Sequence, residues 1–158
     1  MTLHRPDRRR LLRLLVLGSP AAAALRASPA AAQAEGRRPI MQPAEPTKAG
    51  FIARARALRE EAVRAGDQAY GAVVVCGGRV VGEGRNYVVG DSDPTAHAEL
   101  LAVRDAARRL GRRDLSDCDV YSTAAPCPMC QGALYWARIR RYHTDSTPED
   151  GLAPRLSC

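Results

Sequence analysis

The stretch AAPCPMCQG, residues 124–132, sets two thiols three residues apart with a proline before each. Cys127 and Cys130 stand at i, i+3, and Pro128 between them suits the first turn of a helix, where an N–H would have no partner anyway. Both thiols then lie on one face, and the positive end of the helix favours their anions. Thiolates so placed serve as metal ligands or as a redox pair, and two small buried side chains have the same spacing. The spacing by itself leaves all three open.

Upstream, PTAHAE brings His97 two residues before Glu99 at the start of an amphipathic run. One imidazole and two thiolates suit Zn²⁺ and leave a fourth position for water, which is the ligand count of a catalytic rather than a structural site. Zn²⁺ lowers the pKa of its water toward ~7, and a carboxylate such as Glu99 can take that proton and return it to a leaving group. On an ideal helix His97 and Glu99 diverge by roughly 200°, so the metal is expected off the helix end.

The elements that must position these groups are legible from periodicity. Phe51, Ile52, Ala55, Leu58, Ala62 and Val63 recur at helical spacing after Thr47, predicting a helix that ends near Gly66. Ala72–Cys76 and Arg79–Glu83 flank Gly77-Gly78 as a hairpin. Asp93-Pro94-Thr95 predicts the N-cap of a second helix running to Leu110. A strand at Asp119–Thr123, a helix at Pro128–Arg138 and a strand at Ile139–His143 follow. The order α-β-β-α-β-α-β suits an α/β fold, a mixed sheet with helices on its faces. Cys76, inside VVVC, reads as a small buried hydrophobe, and Cys118 and Cys158 are assigned no role.

Charge and composition narrow the function classes. The 158 residues carry +7 overall, but residues 1–34 hold six arginines and one acid, leaving +2 for residues 35–158. Residues 1–34 join a basic stretch, an apolar run from Leu11 to Leu17 and a small-residue end at Ala32-Gln33-Ala34, the layout of a secretory signal. Arg8–Arg10 before the apolar run resemble a twin-arginine signal, predicting export to the periplasm or beyond; a leader without function would leave the protein cytoplasmic. Arg13 and Pro20 interrupt the run, so no membrane span is expected. Residues 35–46 read as a proline-rich linker and 47–158 as the catalytic domain.

His97-Ala98-Glu99 followed by Pro126-Cys127-Pro128-Met129-Cys130 resembles the zinc-dependent cytidine/deoxycytidylate deaminase superfamily. The resemblance implies a cytidine-deaminase-like three-layer α/β/α fold with a mixed sheet of about five strands, short at its C-terminus. It also implies one Zn²⁺ held by His97, Cys127 and Cys130, with Glu99 shuttling protons as hydroxide displaces ammonia from a nucleobase or nucleoside. Asn86 matches a base-contacting Asn of the guanine and tRNA adenosine deaminase branches, and the run through Tyr135-Trp136-Ala137-Arg138 is similar to the guanine deaminase branch. Asn86, Ala98 and Trp136 are therefore the expected substrate contacts, guanine the favoured base, and a homodimer the implied assembly.

The chain departs from the pattern in two respects. Ala125 stands where many relatives have Glu before Pro-Cys, and Asp145, Glu149 and Asp150 are the acids available to replace one carried by a C-terminal segment of guanine deaminases. A tRNA adenosine deaminase is the alternative, though a +2 domain offers little to a polyanion. A thiol–disulfide oxidoreductase built on Cys127/Cys130 and a zinc-binding domain without activity are the other two.

Overall fold

The computed structural model describes residues 38–156, so the expected leader and Cys158 lie outside the described residues. Helix α1 (Lys48–Arg64) opens on Thr47, an extended N-cap whose hydroxyl accepts from the Gly50 N–H at 3.2 Å. It buries Phe51, Ile52, Ala55, Leu58 and Ala62 as expected from the sequence, but Val63, expected in the same stripe, is 54% exposed. Leu58 is 1% exposed, a burial that contributes about 1.5–3 kcal/mol.

The central strand β1 (Gly71–Cys76) pairs antiparallel with β2 (Arg79–Arg85) on one side and β3 (Cys118–Ser122) on the other. Gly77 and Gly78 both have positive φ, 56° and 76°, as a two-residue hairpin turn requires. Past β3, the short β4 (Arg141–His143) runs parallel, giving the order β2-β1-β3-β4. Alternation along β1 sorts the core into two layers. Val73 and Val75 meet Phe51, Ile52, Leu58 and Tyr121 under α1. Ala72 and Val74 meet Val120 and the opposite layer, formed by α2 (Ala98–Leu110) and α3 (Pro128–Trp136).

The three-layer α/β/α arrangement is thus present with a mixed sheet, but the described residues form four strands rather than five. Beyond β4 a fifth segment makes one bridge, Tyr142 with Leu152, through reciprocal bonds of 2.8 and 3.0 Å. Pro148 and Pro154 flank that bridge, and proline cannot donate to a ladder. Beside it Arg140 holds Asp119 with two bonds, 2.9 and 2.8 Å, while His143 stacks on Tyr121 with centroids 4.5 Å apart. Among the described residues no helix is long and apolar enough to cross a membrane.

Two features of the sheet went unseen in the sequence. Cys76 is not a free thiol: it faces Cys118 across the β1–β3 ladder, Cα atoms 4.3 Å apart, and the two form a disulfide. Their facing positions follow from strand register across 42 residues, which periodicity does not encode. Second, Gly82 and Gly84 let α2 lie directly on β2. A Cβ at Gly82 would meet the Ala106 N at 2.6 Å, and one at Gly84 would meet the Ala98 carbonyl oxygen and the Ala102 N, the latter at 2.6 Å. Ala98, Ala102 and Ala106, spaced by four and fully buried, are the matching small face of α2.

Candidate active site and metal centre

Because β1 is antiparallel to both neighbours, the start of β1 and the ends of β2 and β3 share one edge of the sheet. The loops leaving that edge carry residues 65–70, 86–97 and 123–127, and there the N-termini of α2 and α3 meet. Helix α2 begins later than the sequence suggested. Asp93 makes an Asx turn instead of a helix cap, accepting from the Thr95 N–H at 2.8 Å and the Thr95 hydroxyl at 2.7 Å. His97 is the residue before α2, extended at φ −74° and ψ 148°, so its imidazole leaves off the helix end. Cys127 holds the same place before α3, with φ −67° and ψ 169°, and Pro128 begins the helix.

The three candidate ligands converge. His97 Nδ1 lies 3.7 Å from both Cys127 Sγ and Cys130 Sγ, and all three ligand atoms fall within 4.8 Å of one another. Tetrahedral zinc with bonds of about 2.3 Å to sulfur and about 2.0–2.1 Å to nitrogen requires N···S separations of about 3.6 Å. The donor set fits the ion in both type and spacing.

The surroundings also ask for a cation. Glu99 is 5% exposed, accepts from the Ser122 hydroxyl at 3.1 Å, and lies 3.6 Å from Cys130 Sγ. Burial, then the charges of Glu99 and Cys127, push the Cys130 thiol far above its ordinary range. Three groups that become anions thus share one buried spot, with two helix N-termini as the fixed positive partners.

Beside them opens a cavity of about 220 Å³, lined by Gln68, Tyr70, Asn86, His97, Glu99, Ala124, Ala125 and Cys127. Its inner end is Glu99 and Asn86, both buried; its outer end is Gln68 and Tyr70, both exposed. Asn86 is 1% exposed, its Oδ1 accepts from the Val88 N–H at 2.9 Å, and its Nδ2 has no partner among the described residues. A buried donor left unpaired costs about 1–3 kcal/mol, so this amide is built for something that enters the cavity.

Other expected contacts stand elsewhere. Trp136 is 75% exposed at the far end of α3, edge-on to Tyr135, in a groove with Arg113, Arg138 and Pro154 and not in the cavity. It was expected there from the resemblance of its run to the guanine deaminase branch, but it lies six residues past Cys130 on the solvent face of α3. Ala98 is fully buried with its methyl in the α2-side core, so it offers the cavity no side chain. Asp145, Glu149 and Asp150 pair with Arg56, Lys48 and Arg141, and none lines the cavity. Gln68 and Tyr70 were missed. Their one sequence signal is position, a polar loop entering the central strand at the edge where the site forms.

Residues 46–144 match the cytidine and deoxycytidylate deaminase zinc-binding region. The chain belongs to that deaminase family. Within it, the chain is 46% identical to the guanine deaminase of Bacillus subtilis over 102 residues, 61% of this chain and 65% of the relative. The crystal structure of that enzyme superposes with a TM-score of 0.57, covering 60% of this chain and 62% of the other. A tRNA-specific adenosine deaminase of Aquifex aeolicus is 42% identical over 87 residues, 54% of this chain and 58% of that protein. The guanine deaminase of Nitrosomonas europaea is 26% identical with a TM-score of 0.58, covering 79% and 70% of the two chains. This deaminase-family chain spans just under two thirds of the length of the curated guanine deaminase it matches.

Proposed function

We propose that this protein is a zinc-dependent hydrolase that deaminates a free nucleobase, with guanine as its substrate, and that His97, Cys127 and Cys130 hold the metal. The observation that carries the reading is the convergence of those three ligands beside a buried Glu99 at the end of a small polar cavity. Bound zinc supplies a Lewis acid and an acidified water in the fourth position. The rest falls to the protein's own groups.

Glu99 takes a proton from the attacking water and gives it to a ring nitrogen of the base, then carries the proton of the added hydroxyl to the amino group, which leaves as ammonia as the carbonyl forms. Its carboxylate must serve both charged and protonated, and Ser122 suits both. The Ser122 hydroxyl has one proton and two acceptors within reach, Glu99 Oε1 at 3.1 Å and the Ala124 carbonyl at 2.8 Å. With Glu99 ionised the hydroxyl donates to it; with Glu99 protonated the hydroxyl accepts and turns its own proton to Ala124. Asn86 Nδ2 donates to an acceptor of the base and fixes its plane.

Size and charge favour a free base. The cavity lies below the ~300–1,000 Å³ of drug-sized sites, and among the described residues no Lys or Arg lines it. The likeness to the Bacillus subtilis guanine deaminase supports the same choice. The likeness to tRNA-specific adenosine deaminases supports a second reading, adenosine in tRNA. Zinc-loaded protein assayed for ammonia release with guanine, adenosine, cytosine, cytidine and a tRNA anticodon stem-loop separates them. Guanine is expected to release ammonia, and Glu99→Gln to abolish turnover while keeping one zinc per chain. Release from the stem-loop alone selects the second reading, and no release from any substrate defeats both.

We also propose export through the residue 1–34 leader. The Cys76–Cys118 disulfide supports this, because such bonds persist in oxidising compartments. N-terminal sequencing of the exported fraction is expected to begin near Glu35; a chain found only in the cytoplasm, with its leader intact, overturns it.

A further inference from the structure

We infer that Gln68 reads the outer edge of the base and sets which purines the site accepts; the inference rests on the guanine reading above. The inner end of the cavity is already committed, with His97 and Cys127 at the metal centre, Glu99 for proton transfer and Asn86 as the buried donor. At the outer end Ala124 and Ala125 offer only methyl groups and backbone, which leaves Gln68 and the Tyr70 hydroxyl as the polar side chains there.

Gln68 is held in place without being used up. Its backbone N–H donates to Asp67 Oδ1 at 2.8 Å, and its carbonyl accepts from the Tyr70 N–H at 2.9 Å. Asp67 Oδ2 in turn accepts from the Gly90 N–H at 2.9 Å, tying this loop to the one that carries Asn86. The Gln68 carboxamide itself bonds to nothing among the described residues.

The chemistry of the edge follows from the reaction. Guanine loses the amino group on its C2 carbon, so C2 must sit over Glu99 at the buried end. The opposite edge, with O6 and N7, then faces the open end. A carboxamide has two donors and an acceptor, and it can rotate to present either. It donates to the O6/N7 acceptors of a 6-oxopurine, or pairs in two bonds with the amino group and N7 of a 6-aminopurine. Gln68 therefore selects for a polar substituent on C6 without regard to its sense, and the site should accept 2,6-diaminopurine alongside guanine and disfavour 2-aminopurine, which has none.

The test measures kcat/KM for these three bases in zinc-loaded wild type, Gln68→Leu and Gln68→Glu, each checked for zinc content. Wild type is expected to favour guanine and 2,6-diaminopurine over 2-aminopurine by about 3–10-fold, the worth of one hydrogen bond. Gln68→Leu should erase that preference by lowering guanine and 2,6-diaminopurine toward the level of 2-aminopurine. Gln68→Glu, which can only accept, should keep 2,6-diaminopurine and lose guanine by at least as much. A Gln68→Leu protein with the wild-type ratio, or with all three bases lowered equally, overturns the role of Gln68. Should Gln68→Leu lose its zinc, an unchanged guanine to 2,6-diaminopurine ratio in Gln68→Glu overturns it instead. Wild type that releases ammonia from none of the three overturns the guanine reading itself.

Discussion

At Ser122 a single hydroxyl faces a carboxylate and a carbonyl, and that economy has a measurable consequence. Ser122→Ala leaves Glu99 Oε1 without its donor in a buried site, and we expect kcat to fall about tenfold with KM held and zinc retained. Ser122→Thr keeps the hydroxyl and should recover most of the rate. A loss in Ser122→Ala that appears wholly in KM would remove Ser122 from the proton path. Its role could not be read from YSTAAPC, where a serine at a strand end is ordinary. The candidate set His97, Glu99, Cys127 and Cys130 was legible because metal ligands and a proton carrier need particular residue types at tight spacing. Gln68, by contrast, is a common loop residue, and only the fold brings it to the cavity.

Among the elements, α2 matters most to the site, because His97 immediately precedes it and Glu99 lies in its first turn. Its position rests on the contact with Gly82 and Gly84, where backbone meets backbone. Gly84→Ala sets a methyl against the Ala98 carbonyl, one residue from the candidate ligand His97. We expect it to destabilise the fold by about 1–3 kcal/mol in urea melts and to weaken zinc retention against a chelator. Equal zinc retention at reduced stability would mean that the α2 N-terminus is held by other contacts. Helix and hairpin boundaries were readable to within a few residues, since caps, glycine turns and apolar stripes are local. The later start of α2 was not, because an Asx turn and an N-cap use the same Asp-x-Thr chemistry.

For the whole molecule, acid stability falls on the pairing of β3 with the segment that leads into β4. Burial raises the Asp119 carboxyl, but His143 and Arg140 outweigh it and bring it from 3.8 down to about 2. Arg140 is the firmer partner, since its bonds are 2.9 and 2.8 Å while His143 Nε2 lies 3.7 Å away, beyond hydrogen-bond reach. A carboxyl with a depressed folded pKa stabilises fully above its unfolded pKa and loses that contribution as pH falls through the folded value. Asp119 should therefore contribute about 2 kcal/mol above about pH 4, vanishing toward pH 2. Asp119→Asn should flatten the stability curve in that window, and an unchanged curve would place the acid sensitivity elsewhere. The sequence by itself determined the candidate metal ligands, the candidate proton carrier and the order of elements, because each is written in residue type and short-range spacing. Only the tertiary structure decided the Cys76–Cys118 bond, the four strands of the described residues, the position of Trp136 outside the cavity and the place of Gln68. Those depend on strand register and on loops from distant parts of the chain meeting at one sheet edge, and no local pattern carries that information.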